Sequence, residues 1–145
     1  MTITFKKLIA EKEIALFWEK KREYERNDIF PNLTETGQER AEIVEWFHSE
    51  EYYRIVMDLH HHPKNGDSPL EFIFVYDQDT YIGFLTYKIY HSEDGKAFIL
   101  DFSIETSHRN QGLGSRVVAE LELFLKEQGA AYLALNTSNE NNTRF

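Results

Sequence analysis

The chain has 145 residues, a formal net charge of −9 from 25 acidic and 16 basic side chains, 41% hydrophobic and 14% aromatic residues, and no Cys. That is enough for one domain with its own apolar core, too short for two, and too hydrophobic for a disordered chain. The composition excludes a disulfide framework, a thiolate metal site and a Cys nucleophile, and it offers no basic field to hold DNA or RNA.

In chain order, Met1 to Lys7 lacks the apolar run of a signal peptide, and no later stretch approaches the roughly 18 apolar residues of a membrane span. A cytoplasmic protein with no membrane partner is expected. Thr2 to Ile9 alternates loosely, as a short strand does, and Glu11 to Arg26 carries Ile14, Phe17 and Trp18 at helical spacing among charges three or four residues apart. Pro31 breaks the chain. Thr36 and Glu39 have the form of a capping box, which predicts a second helix with Ile43, Trp46 and Phe47 on one face, continuing through Tyr52 to His60. His61 to Gly66 reads as a loop.

The period then changes. Leu70–Tyr76, Tyr81–Tyr90 and Ala97–Ile104 are rich in β-branched and aromatic residues, and Asp and Gly in the intervening segments supply hairpin geometry, which predicts an antiparallel meander. Gly112 to Gln128 returns to helical period through Leu113, Val117, Leu121, Phe124 and Leu125, with Gly129 as a left-handed cap. Ala130 to Leu135 reads as a buried strand. A right-handed crossover would set it parallel to the strand ending near Ile104.

Between those last strands, Arg109-Asn110-Gln111-Gly112-Leu113-Gly114-Ser115 opens the helix with two Gly spaced by one. Free amides at a helix start, together with the helix dipole, make an anion site, and Gly admits a phosphate where a Cβ would block it. A dinucleotide fingerprint fails because position 117 is Val, and no Gly-Lys-Ser/Thr occurs for a P-loop. What remains, Arg-x-x-Gly-x-Gly, resembles the coenzyme A pyrophosphate loop of the GNAT acetyltransferase superfamily. The preceding strand, the helix, the next strand and the run Asn139 to Phe145 occur in that family's order.

The resemblance covers essentially the whole chain, most strongly from Ala97 onward. It implies an α+β fold: a mixed sheet with an antiparallel meander, a parallel pair splayed at the cofactor cleft, and flanking helices, as a single domain over 1–145. It implies binding of acetyl-CoA and acetyl transfer to a small-molecule or peptide amine. Carried over, Arg109 opens the loop, Asn110, Gln111, Gly112, Leu113, Gly114 and Ser115 offer amides to the pyrophosphate, and Phe102, Ser103 and Ile104 pair backbone groups with the pantetheine arm. Asn139 matches an Asn near the pantetheine, with Asn142 one helical step further on.

Some relatives place a Glu on the strand before the loop, where this chain has Phe98 or Leu100. Asp101 is then the nearest carboxylate and the candidate base, although alternation along the strand can turn it away from the cleft that Phe98 and Leu100 face. The family usually continues past the match to Arg144-Phe145 with a Tyr that acts as general acid, a helix and two strands. The resemblance therefore implies a domain lacking those elements, with the strand near Ala130 to Leu135 missing a neighbour and open to a homodimer or another chain.

Three side readings complete the sequence. His60-His61-His62 suits a solvated loop better than a metal site, since consecutive side chains diverge. Trp18 and Trp46 are expected in the core, with an acceptor pocket as the alternative role for these two and for Tyr52-Tyr53. Rival functions are a silent acyl-CoA-binding module and a nucleotide-binding regulatory domain that would take ATP.

Overall fold

The computed structural model describes residues 2–109 and 111–135, and the backbone alone of 142–144. In order the elements are β1 (Ile3–Lys7), α1 (Glu11–Tyr24), a π-helical turn (Glu25–Ile29), a 3-10 turn (Phe30–Asn32), α2 (Gly37–His48), α3 (Glu50–His61), β2 (Glu71–Asp77), β3 (Thr80–Tyr90), β4 (Lys96–Ile104), α4 (Leu113–Glu127), β5 (Tyr132–Leu135) and β6 (Asn142–Arg144). The strands form one sheet in sequence order. Every neighbouring pair is antiparallel except β4 and β5, which run parallel because α4 crosses between them. The α+β architecture, the meander and the parallel pair expected from the sequence are all present.

Two apolar layers cover the sheet. On one face, Leu113, Val117, Leu121 and Leu125 of α4 pack on Ile73, Leu85, Tyr87, Ala97 and Ile99. Helical period thus meets strand period on a shared core. On the other face, Ile14, Phe17 and Trp18 of α1 and Val56 of α3 meet Phe72, Phe74 and Phe84, with Phe17 stacked on Phe72 at 4.4 Å. Burial of each such side chain contributes about 1.5–3 kcal/mol.

The local chemistry explains most boundaries. The β2–β3 hairpin turns through Gln78 at φ 55, the left-handed geometry that suits strand twist. Gly129 at φ 96 follows the end of α4.

Several expectations are corrected. The predicted second helix is two, because Ser49 leaves the helical region at ψ 152 and its hydroxyl accepts from the Tyr52 amide, capping α3. Thr36 does precede α2, but its side chain makes no capping bond. Trp46 is 41% exposed instead of in the core, since α2 lies outside the layer that buries Trp18. The strand near Ala130–Leu135 has a neighbour after all, as β6 pairs with it antiparallel, so Asn142 sits opposite Ala134 in a strand and not one helical step past Asn139. The edge argument for a homodimer falls with that pairing.

Candidate functional site

β4 changes character halfway along. Lys96 to Ile99 pair with β3 on one side and with Tyr132 to Leu135 on the other. At Thr86/Tyr87 the β3–β4 register shifts, because Thr86 faces Asp101 while Tyr87 faces Ile99, leaving Leu100 as an extra residue. Beyond this bulge no strand among the described residues pairs with β4 on its β5 side. The last β4–β5 pair among the described residues, Ile99 with Leu135, lies beside this bulge.

Between the end of β4 and α4 opens a cleft of about 740 Å³. Phe102, Ser103 and Ile104 line it from β4, Gly114, Ser115, Val118 and Ala119 from α4, and Tyr24, Asp28 and Arg109 close it near the end of α1. Six residues expected at a cofactor site therefore share one wall system. The wall is apolar along Phe102, Ile104, Val118 and Ala119, and it turns polar at the start of α4.

That start is built as an anion cradle. Gly112 caps α4 at φ 72, a left-handed conformation costly to any residue with a Cβ, and no acidic residue lies in the first turn. The opening amides of a helix have no intrahelical acceptors and carry the positive end of its dipole. An added Cβ at Gly112 or Gly114 would meet nothing within 4 Å, so the space beside both is open.

The remaining expected residues divide. Leu113 sends its side chain into the core and has only its backbone to offer. Gln111 is exposed, its amide donating to the Ser107 carbonyl at 3.5 Å. Asn110 and Asn139 lie outside the described residues, as does the side chain of Asn142. Arg109 is committed internally: its Nε donates to the Ile104 carbonyl at 2.7 Å, and its two terminal nitrogens grip Asp28 at 3.1 and 2.6 Å. The Asp28 hydrogen bond raises its pKa further. Its side chain shapes the loop.

Asp101 lies on the other side of the sheet from α4. Its carboxylate accepts from Thr86 Oγ1 at 3.1 Å and faces Lys21 Nζ at 3.5 Å. Ala97 and Ile99 face α4, so alternation turns Phe98 and Leu100 to the other face and neither lines the cleft. The bulge sets Asp101 on that same side as Leu100 and returns Phe102 to the α4 side. Lys21 is 1% exposed, as is Glu25 beneath it at 3.1 Å. Burial opposes the Lys21 charge, but Asp101, Tyr52 and Glu25 outweigh it and hold its pKa above the ordinary value. His60 is also committed, its Nδ1 lying 2.8 Å from the Leu70 carbonyl and its ring stacked on Phe72.

Tyr24, Asp28, Lys21 and Glu25 were not singled out from the sequence. One signal was there: Lys21 and Glu25 fall on the same stripe as Ile14 and Trp18, which makes them charges on an apolar face. Glu25 also starts the π-helical turn, where the Phe30 amide donates to the Glu25 carbonyl, and such turns gather at functional sites.

A family model described as the acetyltransferase (GNAT) family matches residues 26–145. Among solved structures, the chain resembles YycN from Bacillus subtilis (16% identity, TM-score 0.62, 94% of this chain and 82% of that one). It also resembles PaiA N-acetyltransferase from Thermoplasma acidophilum in complex with coenzyme A (19%, 0.55, 93% and 79%). A third is the aminoglycoside acetyltransferase meta-AAC0020 from an uncultured soil metagenomic sample, in complex with sisomicin (18%, 0.54, 94% and 78%). No curated protein sequence matches.

Proposed function

The chain belongs to the GNAT family of acetyltransferases, and we propose that it binds acetyl-CoA in the cleft beside the open half of β4 and transfers the acetyl group to an amine. The observation that carries this reading is the meeting, in one cleft, of the end of β4, an apolar wall and the acid-free start of α4. A diphosphate fits the amides of the first α4 turn, and an extended amide-bearing arm fits along the backbone of Phe102 to Ile104, apart from the Ile104 carbonyl that Arg109 already engages. Asp28 in the cleft wall is paired with Arg109, which offsets its repulsion of a phosphate.

Acetyl-CoA supplies the activated thioester carbonyl. The chain's residues align it and guide protons. Held beside the strand, a thioester is presented to an amine at high effective concentration, which supplies much of the rate. Asp101, 3.5 Å from Lys21, is the carboxylate we assign as base for the amine proton, through water if needed. No helix among the described residues is long and apolar enough to cross a membrane, and together with the lack of Cys this supports a cytoplasmic setting. The acceptor belongs to the amines, small or peptidic, and the net charge of −9 suits a cationic one.

The test is release of free thiol from acetyl-CoA in the presence of a panel of primary amines. Because the chain has no Cys, every thiol detected comes from the cofactor. Amine-dependent thiol release is expected. Tight coenzyme A binding without release for any amine would make this a silent binding module.

A further inference from the structure

A buried charge cluster stands behind Asp101. Lys21 of α1, Glu25 of the π-helical turn and Thr86 of β3 are each 1% exposed, whereas the Asp101 side chain keeps 19%. Around Lys21 Nζ lie the ring of Tyr52 at 5.2 Å and those of Trp18 and Phe47 at 6.0 Å each. Burying an ammonium this completely is costly, and a buried ion pair adds little to stability over an apolar replacement. Glu25 does not require it either, because Arg22 already reaches the other Glu25 oxygen at 3.2 Å.

What Lys21 adds is a second contact, to Asp101, and that contact is one-sided. Thr86 Oγ1 donates to Asp101 Oδ2 at 3.1 Å and accepts from the Asp101 amide at 3.1 Å, while Lys21 Nζ lies 3.5 Å from the same Oδ2. The bulge in β4 prepares this grip by aligning Thr86 opposite Asp101. No hydrogen bond or ion pair among the described residues engages Oδ1.

We propose that Lys21 and Thr86 are positioning residues for Asp101, pinning Oδ2 so that Oδ1 is the oxygen that takes the amine proton, an inference that rests on the acetyl-transfer reading above and its choice of base. The step they serve breaks one N–H bond, leaves its electron pair on nitrogen for the new C–N bond, and puts the proton on Oδ1, from which water carries it off. The pair of the broken C–S bond departs on sulfur, which takes a proton from solvent. A carboxylate restrained before the substrate arrives has less freedom to lose in the transition state.

Lys21→Met removes the ammonium and keeps the apolar stem, and Thr86→Val removes the hydroxyl at nearly constant shape. Each is expected to lower turnover about tenfold, with the KM for acetyl-CoA within about twofold of wild type. In an Asp101→Asn background neither should cost more than about a further twofold, because nothing remains to be positioned. A role in packing alone would lower the unfolding midpoint and leave the turnover of folded protein unchanged. A variant whose loss is absent, or the same in both backgrounds, has no positioning role, and acetyl transfer stands without it. If Lys21→Met does not fold, Thr86→Val decides alone. Full turnover by Asp101→Asn overturns the choice of base and this inference together. Wild-type protein that releases no thiol with any amine overturns the acetyl-transfer reading as well.

Discussion

The two halves of β4 contain similar residues and do different things. Lys96 to Ile99 are held between two strands, with Ala97 and Ile99 fully inside the core, whereas Phe102 to Ile104 have β3 on one side and a cleft on the other. Hydrophobicity does not separate them. The bulge at Leu100 does, because it coincides with the last β4–β5 pair, Ile99 with Leu135. One half lies in the core, and the other lines the cleft.

The largest effect should come from the closed half. Ala97→Glu places a carboxylate in a fully buried position with no partner, at a cost of at least about 3 kcal/mol. Denaturant unfolding should show the transition lost or moved far down. A variant as stable as wild type would mean that this half is not the core it looks to be.

In the open half, Asp101→Asn should act on chemistry instead. Turnover is expected to fall about 100-fold, equivalent to ~2.7 kcal/mol, with coenzyme A affinity within about twofold. Lys21 keeps Glu25 as counterion, so the variant should remain folded. If the pH profile of turnover keeps its acidic limb in the variant, the base lies elsewhere.

Gly83 of β3 sits directly behind the open half. A Cβ there would lie 2.2 Å from the Ser103 carbonyl oxygen and 3.1 Å from Ile104 Cα, both backbone atoms that cannot step aside. Gly83→Ala should push Ser103 and Ile104 into the cleft, costing about 1–3 kcal/mol of stability and at least about tenfold in coenzyme A affinity. An unfolding midpoint and a binding isotherm give both numbers. Unchanged affinity would detach the cleft from the strand behind it.

The smallest effect is a control far from β4. Glu13 accepts from Lys6 at 2.9 Å and from the amides of Ile9 and Ala10 at 3.2 Å each. The Lys6 hydrogen bond first, then those amides, hold its pKa at about 2 against an ordinary 4.5. A pKa lower in the folded state means stability that is complete above about pH 4.5 and lost as pH falls toward 2. Glu13→Gln should flatten that part of a stability-against-pH curve and leave coenzyme A binding unchanged.

Much of this molecule was legible from sequence. The meander and α4 follow from clean periods of two and 3.6, and the loop into α4 follows from two Gly before an apolar stripe. Other features depend on contacts across the fold. The bulge at Leu100 arises from pairing with β3 and could not be read from alternation: it sets Asp101 on the same side as Leu100 and returns Phe102 to the α4 side. Arg109 opens the loop in the sequence, but nothing near it shows that Asp28, 81 positions away, holds its side chain. Trp46 looked like core because its apolar stripe gives no sign that α2 lies outside the covered layer.

The central claim is that the start of α4 and the open half of β4 hold coenzyme A. Calorimetric titration of coenzyme A and of ATP into wild-type protein and Gly112→Asp tests it most directly. A Cβ added at Gly112 meets no atom within 4 Å, so the fold should bear the substitution with about 1–2 kcal/mol of backbone strain at φ 72. The account predicts one coenzyme A bound per wild-type chain, no comparable ATP binding, and at least about a 100-fold loss of coenzyme A affinity when a negative charge enters the anion cradle. Equal coenzyme A affinity in the two folded proteins, or a preference for ATP, would contradict it.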